Sequence, residues 1–454
     1  MKRSIFAFVF ALAFAGCASP TSAGNTAPAT AAAPTTGGVQ TEGAFTWTDI
    51  NGMRVLVKRT PGAEFVAGQL YILGGVRNWT AQNAGIEQLA LATAAEGGTH
   101  KLDKDAYARK LASLGSEVGG GSGNDFGSFG AKALKPAWDE TFNLMVDAFL
   151  EPALPAQELE IQRARQLSGL HHEQESPDGR LGYLVHQQLF AGTPYANRAV
   201  GTLESVAAVK AADLAPYLDK LRETSRLVLV VVGDVDANHV IELAKQRFGS
   251  LPKGNYVQTP LPPLALAAPK LSTEARKLPT NYIQGTFSGP GWKDADLPAG
   301  MVAMNLLGYR LFEEVRTKRD LSYAPGASLR AGSEEPTGFL YVTAVDANTT
   351  WQVMLDEAKK LASTPATDAE VSGSKSLFLT GLLMGNETVD GQAGFLGRAL
   401  IYGGDWHLAQ TLPERIRAVT AADIQKFAQT HVNKLQTVVL GDPAKVNQPL
   451  FQSL

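Results

Sequence analysis

Side chains able to bind a metal or act as nucleophiles are few in this chain. The densest group is "GLHHEQES", where His171, His172, Glu173 and Glu175 stand together. Zinc needs imidazoles and carboxylates that converge from one side. Neighbouring residues on a helix point about 100° apart, so at most one of the two histidines could face the cleft with Glu175. The group reads as a polar, solvated helix face. The other histidines, at positions 100, 186, 239, 407 and 431, form no ligand spacing. No G-x-S-x-G elbow marks a nucleophilic serine. In "FEEVRTKRDLSYAPG", Arg316 lies near the end of a helical stretch and Tyr323 enters a strand. Read alone, they are a surface cation and a core aromatic.

The stretch "NAGIEQLALATAAEGGT" has the frame of a metal-binding helix without its donors. Gly85 opens it, Gly97 and Gly98 close it, and Ile86, Leu89 and Ala90 recur at core-like helical spacing. Gln88, Leu91 and Ala92 fill the remaining positions.

The elements that hold these residues follow from composition and pattern. At 454 residues, with 44% apolar and 19% charged side chains, the chain has room for two or three ordinary globular domains. A net charge of -3 and the lack of a basic run argue against nucleic acid as a partner. Lys2 and Arg3 precede a short apolar run from Ile5 to Phe14, the layout of a secretory signal. The run ends in "FAGC", which resembles a bacterial lipoprotein cleavage box with Cys17 as the acylated residue, although Phe14 stands where leucine is usual. Cys17 is the only cysteine, so no intrachain disulfide can form. Ala18 after it resembles the outer-membrane sorting pattern. Residues 1–17 are therefore expected to be a lipoprotein signal peptide, and the Ala/Thr/Pro-rich residues 18–44 a flexible tether.

The folded part repeats itself. "VKAADLAPYLDKLRETSRLVLVVVGDVD" from Val209 and "VTAADIQKFAQTHVNKLQTVVLGDPA" from Val419 share one plan: Ala-Ala-Asp, an amphipathic helix, then a β-branched run ending in Gly-Asp. Asp213 matches Asp423 and Gly233 matches Gly441. "PLPPLALAAPKL" between the halves lacks strand alternation and reads as a linker. The expectation is an α+β fold of two duplicated domains, residues 45–259 and 272–454, joined by residues 260–271. Each domain is an antiparallel or mixed sheet with helices packed on one face, and the two together suggest a clam shell.

From about Phe45 to the C-terminus the chain resembles the pitrilysin or insulinase family of inverted-motif zinc peptidases, in the two-domain branch that includes the mitochondrial processing peptidase. The resemblance rests on "GGVRNWTAQNAGIEQLALATAAEGGT" and "LGYRLFEEVRTKRDLSYAPGA". In that family H-x-x-E-H on a helix binds zinc through both histidines, and its Glu is the general base. Setting Gly85 on the family glycine puts Gln88 and Ala92 at the histidines and Leu91 at the base. The family spacing counted from Ala92, or back from Pro177, leads to Gly169 or its neighbour Ser168 for the third ligand. None of these side chains is a good zinc ligand. No zinc is expected in this chain.

The same resemblance matches Arg316 and Tyr323 to the pair that family members bring to the substrate beside the zinc. A guanidinium can hold a peptide carbonyl, and a phenol can donate to the developing oxyanion. Leu114 to Leu134 sits where the family has the edge strand that pairs with bound peptide, with Gly119 where an Asn is expected. These features imply a zinc-free subunit of a peptidase heteromer. It would bind peptide, complete the site of a zinc-bearing homologous subunit in trans, and be lipid-anchored in the bacterial envelope, facing the periplasm from the outer membrane. The alternative is a non-enzymatic scaffold that reuses the fold, as core subunits of the respiratory bc1 complex do. An isolated active metallopeptidase conflicts with Gln88, Leu91, Ala92 and Gly169.

Overall fold

The structure, a computed structural model, describes residues 38–454. Cys17 and most of the expected tether lie outside the described residues. The first half contains β1 (Gln40–Glu42), β2 (Phe45–Ile50), β3 (Met53–Arg59), β4 (Phe65–Leu73), α1 (Ile86–Glu96), α2 (Lys104–Ser113), β5 (Glu117–Ser122) and β6 (Phe126–Leu134). It continues through α3 (Trp138–Leu150), α4 (Ala156–Glu175), α5 (Pro177–Phe190), α6 (Leu203–Ala208), α7 (Ala211–Asp219), β7 (Leu227–Gly233) and α8 (Ala237–Phe248). The second half has β8 (Lys270–Ala275), β9 (Asn281–Ser288), α9 (Leu297–Leu311), β10 (Gly326–Arg330), β11 (Thr337–Ala344), α10 (Ala347–Ser363), α11 (Asp368–Gly385) and α12 (Val389–Arg398). It ends with α13 (His407–Ala418), α14 (Ala421–His431), β12 (Gln436–Gly441) and α15 (Gln448–Phe451). Among the described residues no helix is long and apolar enough to cross a membrane.

The two sheets have one topology. The first runs β1-β2-β3-β7-β4-β6-β5 and the second β10-β11-β9-β12-β8. Without the β1–β2 extension, each has a parallel pair (β3 with β7, β8 with β12) followed by antiparallel neighbours. The matched motifs occupy matched places. Asp213 accepts the Lys210 N–H at 2.8 Å and Asp423 the Thr420 N–H at 2.9 Å, each starting the helix that feeds the central strand. Gly233 and Gly441 end those strands, and their carbonyls accept from Thr60 and Arg276, both at 2.8 Å. One boundary differs from the sequence expectation: β1 lies within the stretch read as tether and pairs with β2.

Each sheet has its own helices on one face, and the other half covers the opposite face. Strand β7, "LVLVVVG", is buried throughout. Its Leu227, Leu229 and Val231 face the first half's helices, while Val228, Val230 and Val232 meet Val389, Ala393 and Leu396 of α12 from the second half. Reciprocally, Leu181, Val185 and Leu189 of α5 pack on Val438 and Leu440 of β12. A strand without alternation is one buried on both faces. Helix α12 fits closely because residue 397 is glycine, where a Cβ would stand 2.2 Å from the Tyr71 hydroxyl.

Candidate functional site

Helix α1 begins where the chain turns through Gly85 at φ 94°, a left-handed conformation suited to glycine. It lies against the glycine-rich edge strand β5 and helix α4. This packing brings Gln88 and Ala92 of α1 and Gly169 of α4 onto the wall of one cavity of about 560 Å³. Leu91 does not join them. It is fully buried and packs under β6, where a Cβ at Gly127 would come within 2.8 Å of its Cδ1.

The residues present do not fit zinc. Gln88 has its Oε1 committed to the Ser122 N–H at 2.7 Å, and Ala92 and Gly169 have no donor atom. Arg165 and Arg198 line the same cavity, and Glu173 is tied to Arg198 at 2.6 Å. Two guanidiniums beside a site for a dication oppose its binding electrostatically. His171, His172 and Glu175 are exposed on α4. Among the described residues no group of three or more His, Cys, Asp or Glu is placed to hold a metal.

Helix α1 instead holds an edge strand. By accepting from Ser122, Gln88 fixes the end of β5, whose only strand partner among the described residues is β6. Gly120 lies so close to α1 that a Cβ there would meet the Leu91 carbonyl oxygen at 2.5 Å, whereas a Cβ on Gly119 would meet nothing within 4 Å. Beside Gln88, Glu87 is fully buried. It accepts from Tyr217 at 2.6 Å, Ser122 at 2.9 Å and Asn78 at 3.1 Å. Burial pushes its carboxyl above the ordinary range, against the pull of those donors. Its charge marks Glu87 as a surface residue in the sequence, although it lies three residues before Ala90 and four before Leu91, on the core side of the helix.

A second buried acid, Asp125, joins the halves. It accepts from Tyr195 of the first half and from Tyr402 of the second, the latter at 3.0 Å. Tyr402 sits on a π-helical stretch, Ala399–Gly403, that follows α12. Nothing in local sequence links residues this far apart along the chain.

Arg316 and Tyr323 meet on the second half. Helix α9 continues as a π-helix over Phe312–Thr317, and a turn through Asp320 at φ 52° brings the chain back. The Arg316 guanidinium carbon then lies 4.0 Å from the Tyr323 ring centroid and 4.9 Å from that of Phe312. Neighbouring Lys318 and Arg319 both pair with Glu314. Among the described residues Arg316 pairs with no carboxylate. Tyr323 is 76% exposed, so the core-aromatic reading does not hold for it. Tyr309 and Phe312 are exposed nearby on the same helical run. Neither Arg316 nor Tyr323 lines the cavity formed by α1 and α4.

Two family models match the chain: insulinase (peptidase family M16) over residues 54–203, and the peptidase M16 inactive domain over residues 208–378. An uncharacterized zinc protease of Mycobacterium leprae is 22% identical, over 84% of this chain and 88% of its own length. The mitochondrial-processing peptidase subunit beta of Lentinula edodes is 24% identical, over 84% and 86%. The non-peptidase homolog YmxG of Helicobacter pylori is also 24% identical, over 69% and 74%. A solved peptidase M16 inactive domain from Pseudomonas fluorescens shares the fold with a TM-score of 0.80 at 20% identity, covering 89% of this chain and 98% of that one. The periplasmic protease PqqL from Escherichia coli gives 0.75 at 16% identity, covering 94% of this chain and 49% of that one. The two models together match most of the chain, the second starting within the first half and running into the second, and the chain belongs to the insulinase family, peptidase family M16.

Proposed function

We propose that this chain is the zinc-free subunit of a two-chain insulinase-family peptidase, which binds peptide and presents Arg316 and Tyr323 to a substrate held on the zinc of a related subunit. The observation that carries this reading is the half-buried Arg316 guanidinium lying over the exposed Tyr323 ring, on a chain whose zinc-motif positions hold no ligands. Stacking occupies the flat face of the guanidinium and leaves its N–H edge free. That edge can take a peptide carbonyl by charge-assisted hydrogen bonds. The exposed Tyr323 hydroxyl can donate to the oxygen that becomes negative as the carbonyl is attacked. The zinc subunit supplies the activated water.

Support also comes from relatives: one is named as a peptidase subunit and another as a non-peptidase homolog. The open edge of β5 offers a place for an extended peptide, with Gly119 among its residues. Lipid anchoring through Cys17 in the bacterial envelope completes the reading. The full chain and the zinc-motif homologue encoded nearest to it would be purified and assayed for zinc and peptide cleavage, alone and mixed. The expected result is a complex that cleaves faster than the homologue by itself, with zinc in the homologue only. A mixture that forms no complex and cleaves no faster would leave the scaffold reading in its place.

A further inference from the structure

A second cavity of about 560 Å³ has no part in the proposed function. It lies where the end of α5 and the turn at Thr193–Tyr195 meet the irregular segment before β8, together with Glu335 and Gln436 of the second half. Leu189, Phe190, Leu261, Leu264 and Leu266 make much of its wall apolar. Two acceptors on the lining residues lack donors: Oε1 of Glu335 and Oε1 of Gln188 are buried and unbonded among the described residues. Glu335 is only 6% exposed. Its other oxygen accepts the Leu264 N–H at 2.6 Å, so the linker backbone fixes the carboxyl group. The Gln188 amide nitrogen faces the carbonyls of Lys270 and Thr437, both at 3.4 Å, which sets the amide orientation and leaves its oxygen without a partner. Buried acceptors without donors cost free energy that a donor-bearing guest can recover.

We propose that this cavity binds a molecule with an apolar body and an ammonium head, the head seated at Glu335 and Gln188 and the body against the leucine wall. An ammonium brings three donors and no acceptor to the two oxygens, Glu335 Oε1 and Gln188 Oε1, that lack donors. Asp125 and Glu334 stand near enough to act on Glu335, and Glu334 is itself paired with Arg77. Lys270 lines the cavity as well, but it is exposed and pairs with no carboxylate among the described residues. The volume is in the range of small-molecule sites, roughly 300–1,000 Å³. Both a simple amine and the N-terminus of a short apolar peptide have this chemistry.

Calorimetry on the full chain with n-hexylammonium, n-hexanol and leucyl-leucine amide tests the proposal. Hexylammonium should bind at least about tenfold more tightly than hexanol, a difference the head group alone provides. Glu335→Gln keeps an acceptor for the Leu264 N–H but turns an amide toward the guest, and should weaken hexylammonium about tenfold or more. Leu266→Trp, which fills the cavity and leaves Glu335 in place, should abolish binding while the chain still unfolds cooperatively. Tighter binding of the peptide amide than of hexylammonium identifies a peptide N-terminus as the natural head, and the reverse a simple amine. Equal affinity for hexanol, equal affinity in Glu335→Gln, or no binding of either cation up to ~10 mM would overturn the proposal.

Discussion

Glu87 shows what a single buried carboxyl can be worth. Its carboxyl satisfies three donors in a space without water access. Glu87→Ala should lower stability by about 3 kcal/mol or more, because Tyr217, Ser122 and Asn78 each lose an acceptor inside the fold; urea unfolding reads this directly. Leu91→Glu should be at least as harmful, since it places a carboxylate in the core under β6 rather than in the α1/α4 cavity. Glu335 carries a pH signature. Burial, Asp125 and Glu334 raise its carboxyl from 4.5 to about 7 in the folded chain. The folded state therefore holds the proton more tightly than the unfolded one. Its contribution is fully present below about 4.5 and is lost as pH rises through about 7. Between those values the parent should lose about 1–3 kcal/mol relative to Glu335→Gln, toward the lower end where solvent screens the group. A parent whose urea midpoint tracks that of the variant across this window would contradict the assignment.

At the scale of elements, the edge strand β5 separates two glycines that sequence alone treats as equals. Gly120→Ala drives a Cβ into the Leu91 carbonyl and the Phe129 ring and should cost about 1–3 kcal/mol. Gly119→Ala meets open space and should be neutral or stabilising by about 0.5 kcal/mol. Equal unfolding midpoints for the two variants would show that β5 does not lie against α1 as described. Much of this architecture was legible beforehand. The repeated Ala-Ala-Asp helix and its Gly-Asp strand gave the duplication, and the glycines at 85, 97 and 98 gave the bounds of α1. What was not legible depends on contacts between the halves. The run "LVLVVVG" signals burial on both faces but cannot say that α12, which follows it by more than a hundred residues, covers the second one. The π-helical turns that carry Arg316 and Tyr402 leave no periodic mark, since one inserted residue shifts the phase of a helix without changing its composition.

For the whole molecule, the lent helices α5 and α12 make the halves depend on each other. Either half expressed alone would expose apolar residues now covered, Val228 and Val230 in the first and Val438 and Leu440 in the second. Residues 38–259 and 272–454 produced separately should bind a hydrophobic dye and unfold at lower urea than the joined chain. The joined chain should give one coincident transition by fluorescence and circular dichroism. The same packing joins the half that carries Arg316 and Tyr323 to the half that carries the β5 edge. The most direct test of that function is the turnover of the mixed complex with Arg316→Ala or Tyr323→Phe in this chain and the zinc subunit unchanged. The account predicts that the complex still assembles while kcat falls about 10²-fold or more, the usual loss when a donor to a developing oxyanion is removed. An unchanged kcat in both variants would mean that the pair touches no reacting atoms, and that the chain serves its partner as a scaffold.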